Sequence, residues 1–462
     1  MRTEMMENKT FDEIAVGDSA ALSRTVSQRD IELFAVISGD VNPAHLDPAF
    51  AATDMFHKVV AHGMLGASLI STVLGTVMPG PGTIYLGQDL RFLRPVGIGD
   101  TITATLTVTA KGETRPDLTL SCRCVNQDGE VVIDGTARVR APIEKIRLPR
   151  MELPDVMLSR HDRFHALLAA ASAHPPRSVA VAYPCDQAAL LPVVEAAAAG
   201  LLVPILVGPA DLIHAAANAA KLDIGAFRLI EAADPAAAAA QAVGLVRSGE
   251  AAVLMKGSLH TDTLLHAVLD PVAGLRTRRR LSHVYIMDVP TYPRPLLITD
   301  AAVNIAPDLD QKRDIVQNAI DLAHVMGIET PRVAILSAIE TINSRLRSTV
   351  DAAALCKMAD RGQITGGLVD GPLAFDNAVN PAAAAEKGIV SQVAGQADIV
   401  VVPDIEAGNM LAKQLSFLAG ADAAGIVLGA TAPIILTSRA DSERTRLASC
   451  AVAALLAAKA EV

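Results

Sequence analysis

Two different hydrophobic rhythms divide this chain, and no single sheet or helical bundle satisfies both. From Phe11 to Val139, one long apolar helix candidate, "HGMLGASLISTVLGTVM", stands among the alternating or β-branched segments "TITATLTVTA", "DLTLSCRCVN" and "EVVIDGTARVR". The tract "NQDGE" between the last two is a hairpin turn signal. These segments imply an α+β unit in which one helix is wrapped by an antiparallel sheet. After the Pro- and Arg-spotted "APIEKIRLPRMELPDVML" the rhythm changes. Short apolar runs now alternate with Ala-rich helical segments: "SVAVAYP", "VPILVGP", "AAVLMKG", "LLITDAA", "RVAILSA", "DIVVVPD" and "GIVLGATAPIILTSR". That alternation predicts an α/β unit with a mostly parallel sheet and helices on both faces. Residues 1–145 form the first unit on this reading, 146–160 a linker and 161–462 the second unit.

Composition supports more than one core. The 462 residues amount to about three domains' worth of chain at roughly 150 residues per domain. Hydrophobic residues make up 51% but aromatics only 3%, and Trp is absent, so Ala, Val, Ile and Leu must fill the cores. The formal net charge of −10 gives no global attraction to nucleic acid or an anionic membrane. Any anionic substrate must be met by local Arg or Lys. The five cysteines are scattered without zinc spacing or a disulfide framework, and Cys122 and Cys124 would share one face of a strand. The N-terminus lacks a signal-like apolar core, and the apolar stretch from Ala188 to Gly208 is broken by Pro192, Glu195, Gly200 and Pro204. A cytoplasmic protein without a membrane partner is the expectation.

The stretch "SGDVNPAHLDP" holds the first group of candidate residues. Asp47 and Pro48 read as the N-cap and first position of a helix, and Asn42-Pro43 as a turn. That reading leaves Asp40 and His45 without a structural duty. Downstream, Ala61-His-Gly-Met precedes the apolar helix, where Gly63 lets the backbone approach a ligand and free N–H groups can hold an oxygen gaining negative charge. A lone His62 is more often a satisfied structural histidine. Together the two loops offer a carboxylate, an imidazole and an oxyanion site, the parts needed to add or remove water beside a carbonyl.

With "SGDVNPAHLDPAFAATDMFHKVVAHGML" and "LGQDLRFLRPVGIGDTI", residues of about 10 to 140 resemble the MaoC-like dehydratase family, or (R)-specific enoyl-CoA hydratases, whose fold is a hot dog. The resemblance implies that Asp40 and His45 are a catalytic dyad gripping one water. That water attacks C3 of a trans-2-enoyl thioester while a proton reaches C2. It further implies that the Gly63 backbone holds the thioester oxygen, that Asn42 orients the loop, and that Asn42 and His62 lie on the substrate side. Hot-dog thioesterases usually carry an acid on the central helix. None occurs between Gly63 and Met78, which favours a hydratase.

In the second unit, "VLMKGSLHT" ends a strand and starts a helix, so Lys256 and N–H groups near Thr261 could receive a phosphate, although such a lysine is more often a solvated loop residue. The spacing is not that of a P-loop. In "APIILTSRADSERTR", Ser438 and Arg439 end a strand just before a helix capped by Asp441 or Ser442. This is either an anion cradle or a cap beside an exposed arginine. The run Arg276 to Arg280, with Arg278 at its centre, could attract phosphates or simply be a solvated face.

The segments "LMKGSLHTDTLLHAVL", "GLRTRRRLSHVYIMDVP", "GPLAFDNAV", "ADIVVVPDIEAGNMLAKQL" and "PIILTSRADS" resemble the phosphate acetyltransferase and butyryltransferase family across residues of about 160 to 462. The resemblance implies a two-subdomain α/β fold like that of isocitrate and isopropylmalate dehydrogenases. It also implies acyl transfer between coenzyme A and phosphate, with no metal or tightly bound cofactor. Arg439 would bind phosphate or acyl phosphate, Ser438 would donate to the reacting group, and Asp441 is the candidate base for the CoA thiol.

The combined expectation is a fused enzyme whose halves both take acyl-CoA thioesters, assembled as a homo-oligomer. One alternative leaves the hot-dog unit as a CoA-binding or dimerisation module. Another makes the α/β half a decarboxylating dehydrogenase, which needs a carboxylate cluster the sequence does not offer.

Overall fold

The computed structural model describes residues 4–156, 158, 162–436 and 441–459. The chain divides into two compact units, Met1–Leu158 and Ser159–Val462.

In the first unit a five-stranded antiparallel sheet is built from β2 (Ser19–Thr25), β3 (Ile84–Phe92), β4 (Thr101–Lys111), β5 (Asp117–Val125) and β6 (Val131–Arg140), in the order β2-β4-β5-β6-β3. Alternation puts Ile102, Ala104, Leu106 and Val108 of β4 on one buried face, continued by Leu118, Leu120, Cys122 and Cys124 of β5. Against it lies α4 (Gly63–Thr76), which buries Gly66, Ala67, Leu69, Ile70, Val73 and Leu74. The expected hairpin is present: Asn126 Oδ1 accepts from the N–H groups of Asp128 and Glu130 at 3.1 and 2.9 Å, and Gly129 takes φ +77°. Three shorter helices, α1 (Gln28–Ser38), α2 (Pro43–Leu46) and α3 (Pro48–Thr53), lie between β2 and α4. Ser27 caps α1, Asn42 caps α2 and Asp47 caps α3. Asn42-Pro43 is thus a helix start where the sequence suggested a plain turn.

The segment expected to open a linker at residue 146 is instead paired. β7 (Arg147–Pro149) runs antiparallel to β1 (Met5–Glu7). Asn8, buried beside this ribbon, donates to Glu144 O and accepts from the N–H of Ile146, both at 2.9 Å. The reason is bonding that a Pro/Arg-rich composition does not reveal: a short edge ribbon needs no hydrophobic rhythm.

The second unit holds an eleven-stranded sheet of β8 (Arg177–Ala182), β9 (Leu202–Val207), β10 (Arg228–Ile230), β11 (Val253–Lys256), β12 (Ser282–Asp288), β13 (Leu296–Thr299), β14 (Arg332–Leu336), β15 (Leu368–Leu373), β16 (Ile399–Val401), β17 (Asp422–Leu428) and β18 (Ile434–Ile435). Its order is β10-β9-β8-β11-β18-β17-β12-β13-β16-β14-β15. Pairing is parallel as expected, apart from the joints β18–β17, β17–β12 and β12–β13. Those joints split the sheet into two parallel sets that run in opposite directions. Helix Glu443–Lys459 is buried along almost its whole length through small residues such as Ala448, Ser449, Ala451 and Ala454. The stretch from Ala188 to Gly208 is helix Gln187–Ala198, less its first residue, followed by β9, and among the described residues no helix is long and apolar enough to cross a membrane.

Gly135 of β6 faces the β3 backbone so closely that a Cβ would lie 2.0 Å from Asp89 O. Gly135→Ala should therefore separate β3 from β6 and cost about 3 kcal/mol or more. Thermal unfolding monitored by circular dichroism checks this, and an unchanged midpoint would refute the close approach.

Candidate functional site

In the first unit the chain brings Asp40, His45 and His62 together. Asp40 follows the α1 C-cap Gly39, whose φ of +73° turns the chain sharply back. The Asp40 Oδ1 accepts from the Asn42 N–H at 3.2 Å, and Asn42 Oδ1 accepts from the Ala44 N–H at 3.1 Å. His45 lies in α2, and its Nδ1 is 2.7 Å from Val60 O. A carbonyl only accepts, so Nδ1 carries the hydrogen and Nε2 is left as the basic nitrogen. Donor atoms of Asp40, His45 and His62 all lie within 4.8 Å of one another. That span suits one water bridging Asp40 and His45. A cation is less well served: His62 Nε2 is engaged with Asp40 O at 3.1 Å, and His62 Nδ1 is sealed from solvent.

His45 and His62 border a cleft of about 300 Å³ whose walls include Phe56, Val60, Phe92, Leu93, Val96 and Ile133. Gly63 opens α4 within this cleft, where the N–H groups of Gly63 and Met64 precede the first bond of the helix, Leu65 N to His62 O at 3.0 Å. A Cβ at Gly63 would meet the Phe92 ring at 3.0 Å, so glycine keeps the helix start open to a ligand. His62 was expected on the substrate side. It lines the cleft but is only 3% exposed, and its polar contact is with the Asp40 backbone.

In the second unit Lys256 ends β11, and its Nζ is 3.2 Å from Gly257 O. The loop that follows is clasped to the end of β8: Gly257 N donates to Ala182 O, Ser258 N to Tyr183 O and Cys185 N to Ser258 Oγ. A Cβ at Gly257 would lie 2.3 Å from Ala182 O, so this close approach requires glycine. Thr261 starts helix Thr261–Val268 after His260, whose side chain makes no capping bond.

Ser438 and Arg439 lie outside the described residues. Among the described residues, β18 pairs with β11 through Ile435 and Met255, and Ser442 Oγ accepts from the Thr445 N–H at 3.1 Å. Ser442, not Asp441, therefore caps the last helix. Asp441 Oδ1 lies 3.7 Å from Lys413 Nζ, and both line a cleft of about 270 Å³ with Tyr285, Ser416, Asp422 and Thr445. Lys413 was not singled out from the sequence, because a lysine on the amphipathic helix Ile405–Leu418 looks like any solvated one. Nearby, burial pushes the Tyr285 hydroxyl up to about 12, with the Asp441 charge adding to it. Burial likewise drives the wholly enclosed His283 down to about 3, with the Lys413 charge acting in the same sense. Neither can exchange protons near neutral pH.

Arg278 falls elsewhere. It borders a groove with Leu265 and Leu269, at the opposite end of helix Thr261–Val268 from Thr261. Its neighbours in the run serve the fold. Arg279 pairs with Asp321, Arg280 Nε donates to Asn304 Oδ1 at 2.7 Å, and Arg280 N donates to Asp314 Oδ2 at 3.0 Å.

Comparison with known proteins agrees with this division. The larger unit has a phosphotransacylase fold: it matches a branched-chain phosphotransacylase from Enterococcus faecalis with a TM-score of 0.55 at 32% identity, over 61% of this chain and 99% of that one. Residues 234–454 match the family described as "Phosphate acetyl/butaryl transferase", and residues 15–120 match the "MaoC like domain". A phosphate acetyltransferase from Rhizobium meliloti is 60% identical over 301 residues, covering 65% of this chain and 94% of that protein. An unliganded R-hydratase from Pseudomonas aeruginosa is 44% identical over 34% of this chain and 100% of that one, with a TM-score of 0.33. The chain belongs to the phosphate acetyl/butyryltransferase family, and it carries a MaoC-like domain ahead of the transferase unit.

Cys185 lies at the clasped loop, where burial, helped by the Asp186 charge, pushes its thiol up to about 11. Fewer than about one such thiol in a thousand is ionised at neutral pH, too few for an acyl-carrying nucleophile. Cys185→Ser should keep acyl transfer within about threefold of wild type. A rate loss of two orders of magnitude, or trapping of an acylated Cys185 by mass spectrometry, would overturn this.

Proposed function

We propose that the chain is a bifunctional acyl-CoA enzyme. The N-terminal unit reversibly hydrates trans-2-enoyl-CoA to 3-hydroxyacyl-CoA. The C-terminal unit reversibly converts acyl-CoA and phosphate into acyl phosphate and CoA. Thioesters and phosphate enter as substrates, and neither step calls for a resident cofactor.

The observation that carries the hydration reading is the convergence of Asp40 and His45 beside the Gly63 helix start, with His45 held in one tautomer by Val60 O. A water held between the Asp40 carboxylate and His45 Nε2 loses a proton as its oxygen bonds to C3. The C2–C3 π electrons move toward the thioester carbonyl, whose oxygen gains charge opposite the first-turn N–H groups at Gly63. A proton then returns to C2, so one water has been added across the double bond. The apolar walls of the cleft suit an acyl chain.

For the transferase unit, family membership carries the reading. A phosphate oxygen attacks the thioester carbonyl, the C–S bond breaks, and CoA leaves as the thiolate. On the resemblance, Arg439 holds phosphate through paired N–H bonds and Ser438 donates to the reacting group. In the reverse direction Asp441, which lies beside Lys413, takes the CoA thiol proton on this reading. On the same reading Lys256 and Thr261, at the end of the neighbouring strand β11, bind the CoA or phosphate anion. The direction change at β17 and β12 is the natural seam between two subdomains of the isocitrate and isopropylmalate dehydrogenase type.

A cytoplasmic homo-oligomer is part of the proposal. The edge strand β3 exposes Ile84, Tyr85, Leu86 and Phe92, apolar surface that a second copy would cover.

The test is a pair of separable losses. Asp40→Asn should lower crotonyl-CoA hydration by about a thousandfold and leave phosphate-dependent CoA release intact. Arg439→Ala or Ser438→Ala should lower CoA release by about a hundredfold or more and leave hydration intact. Wild-type rates in the targeted reaction would sink that site. Failure of the wild type to hydrate a chain-length panel of enoyl-CoAs would leave the first unit as a CoA-binding or dimerisation module.

A further inference from the structure

We infer that His62 is a positioning residue of the hydration site: one imidazole ties the Asp40 loop, the His45 ring and the Gly63 helix start into a fixed arrangement. The inference rests on the hydration reading above.

His62 occupies the N-cap position of α4, yet its side chain makes no capping bond. At that position Ser, Thr, Asp or Asn would satisfy a first-turn N–H, whereas an imidazole directed elsewhere does nothing for the helix. Its Nε2 instead lies 3.1 Å from Asp40 O. A carbonyl can only accept, so Nε2 carries the hydrogen and Nδ1 is a bare acceptor. Nδ1 is buried without a hydrogen-bond partner, a cost that a merely structural core residue would be expected to avoid. One ring neighbour is His45, with centroids 3.9 Å apart, and another is Phe34 at 5.0 Å.

The working groups come from separate pieces of chain: Asp40 from the loop after α1, His45 from α2 and Gly63 from α4. Two bonds hold α2 to the segment before α4, Val60 N to Ala44 O at 3.2 Å and His45 Nδ1 to Val60 O at 2.7 Å. The other side-chain bonds around Asp40 are local, to Ser38 and Asn42. His62 Nε2 is the tie that crosses from the Asp40 loop to α4. Asp40 and His45 are the titratable groups beside it, and the cleft is also lined by Arg94, which donates to Val131 O and pairs with Glu130.

Three full-length variants separate the parts of this role. His62→Phe keeps a ring against His45 and loses the donor. His62→Gln keeps an N–H near the Nε2 position and loses the ring. His62→Ala loses both. With crotonyl-CoA, Phe and Ala should lower kcat by about thirtyfold or more with KM within about threefold, and Gln should recover most of that loss. Hydrogen exchange read on the peptide around residues 38–46 gives a measure independent of catalysis: faster in Phe and Ala, near wild type in Gln. Wild-type kcat and exchange in the Phe variant would overturn the inference, as would a Gln variant as impaired as Phe by both measures. If the wild-type chain hydrates no enoyl-CoA, the reaction assignment fails, and the exchange data alone decide whether His62 holds the loop.

Discussion

A buried helix cannot leave its first N–H groups dry, and in both units this requirement governs where the polar chemistry collects. In the first unit α4 is packed into the sheet through Ala67, Leu69, Ile70, Val73 and Leu74, so its start at Gly63 is directed into the cleft beside His45 and His62. In the second, Glu443–Lys459 is enclosed by small side chains along almost its whole length, and its capped start lies beside Asp441 and Lys413. Burial fixes each helix axis, and the axis fixes the site. Side chains such as Val73 or Ala451 therefore determine the position of groups they never touch.

Much of this was legible in the sequence. The period-two pattern of β4 and β5 placed both cysteines and their apolar neighbours on one face, and Asp47-Pro48 announced the start of α3. Asp40 and His45 stood out because the local caps and turns left them unexplained. The runs that became β8, β9, β11, β13, β14, β16 and β17 were each readable as buried strands.

What escaped was long-range. β12 follows an arginine run and pairs antiparallel on both sides, so the reversal of the sheet depends on partners distant in sequence. Arg278, read as a possible phosphate contact from the charge of its run, borders a groove with Leu265 and Leu269, a placement that the run itself does not encode. Lys413 gained meaning only when folding set it opposite Asp441. The tautomer of His45 depends on Val60 O, a backbone atom that no side-chain pattern encodes.

The ribbon formed by Met5–Glu7 and Arg147–Pro149 has a bearing on how such a chain could arise. It brings both ends of the smaller unit side by side, sealed by Asn8 on Glu144 O and the Ile146 N–H. A fold that closes on its own ends can be joined to another gene product at one point, because no strand must be threaded and no sheet reopened. Fusion then asks only for a tether after Arg150. Two folds joined in this way are made in equal numbers and kept together.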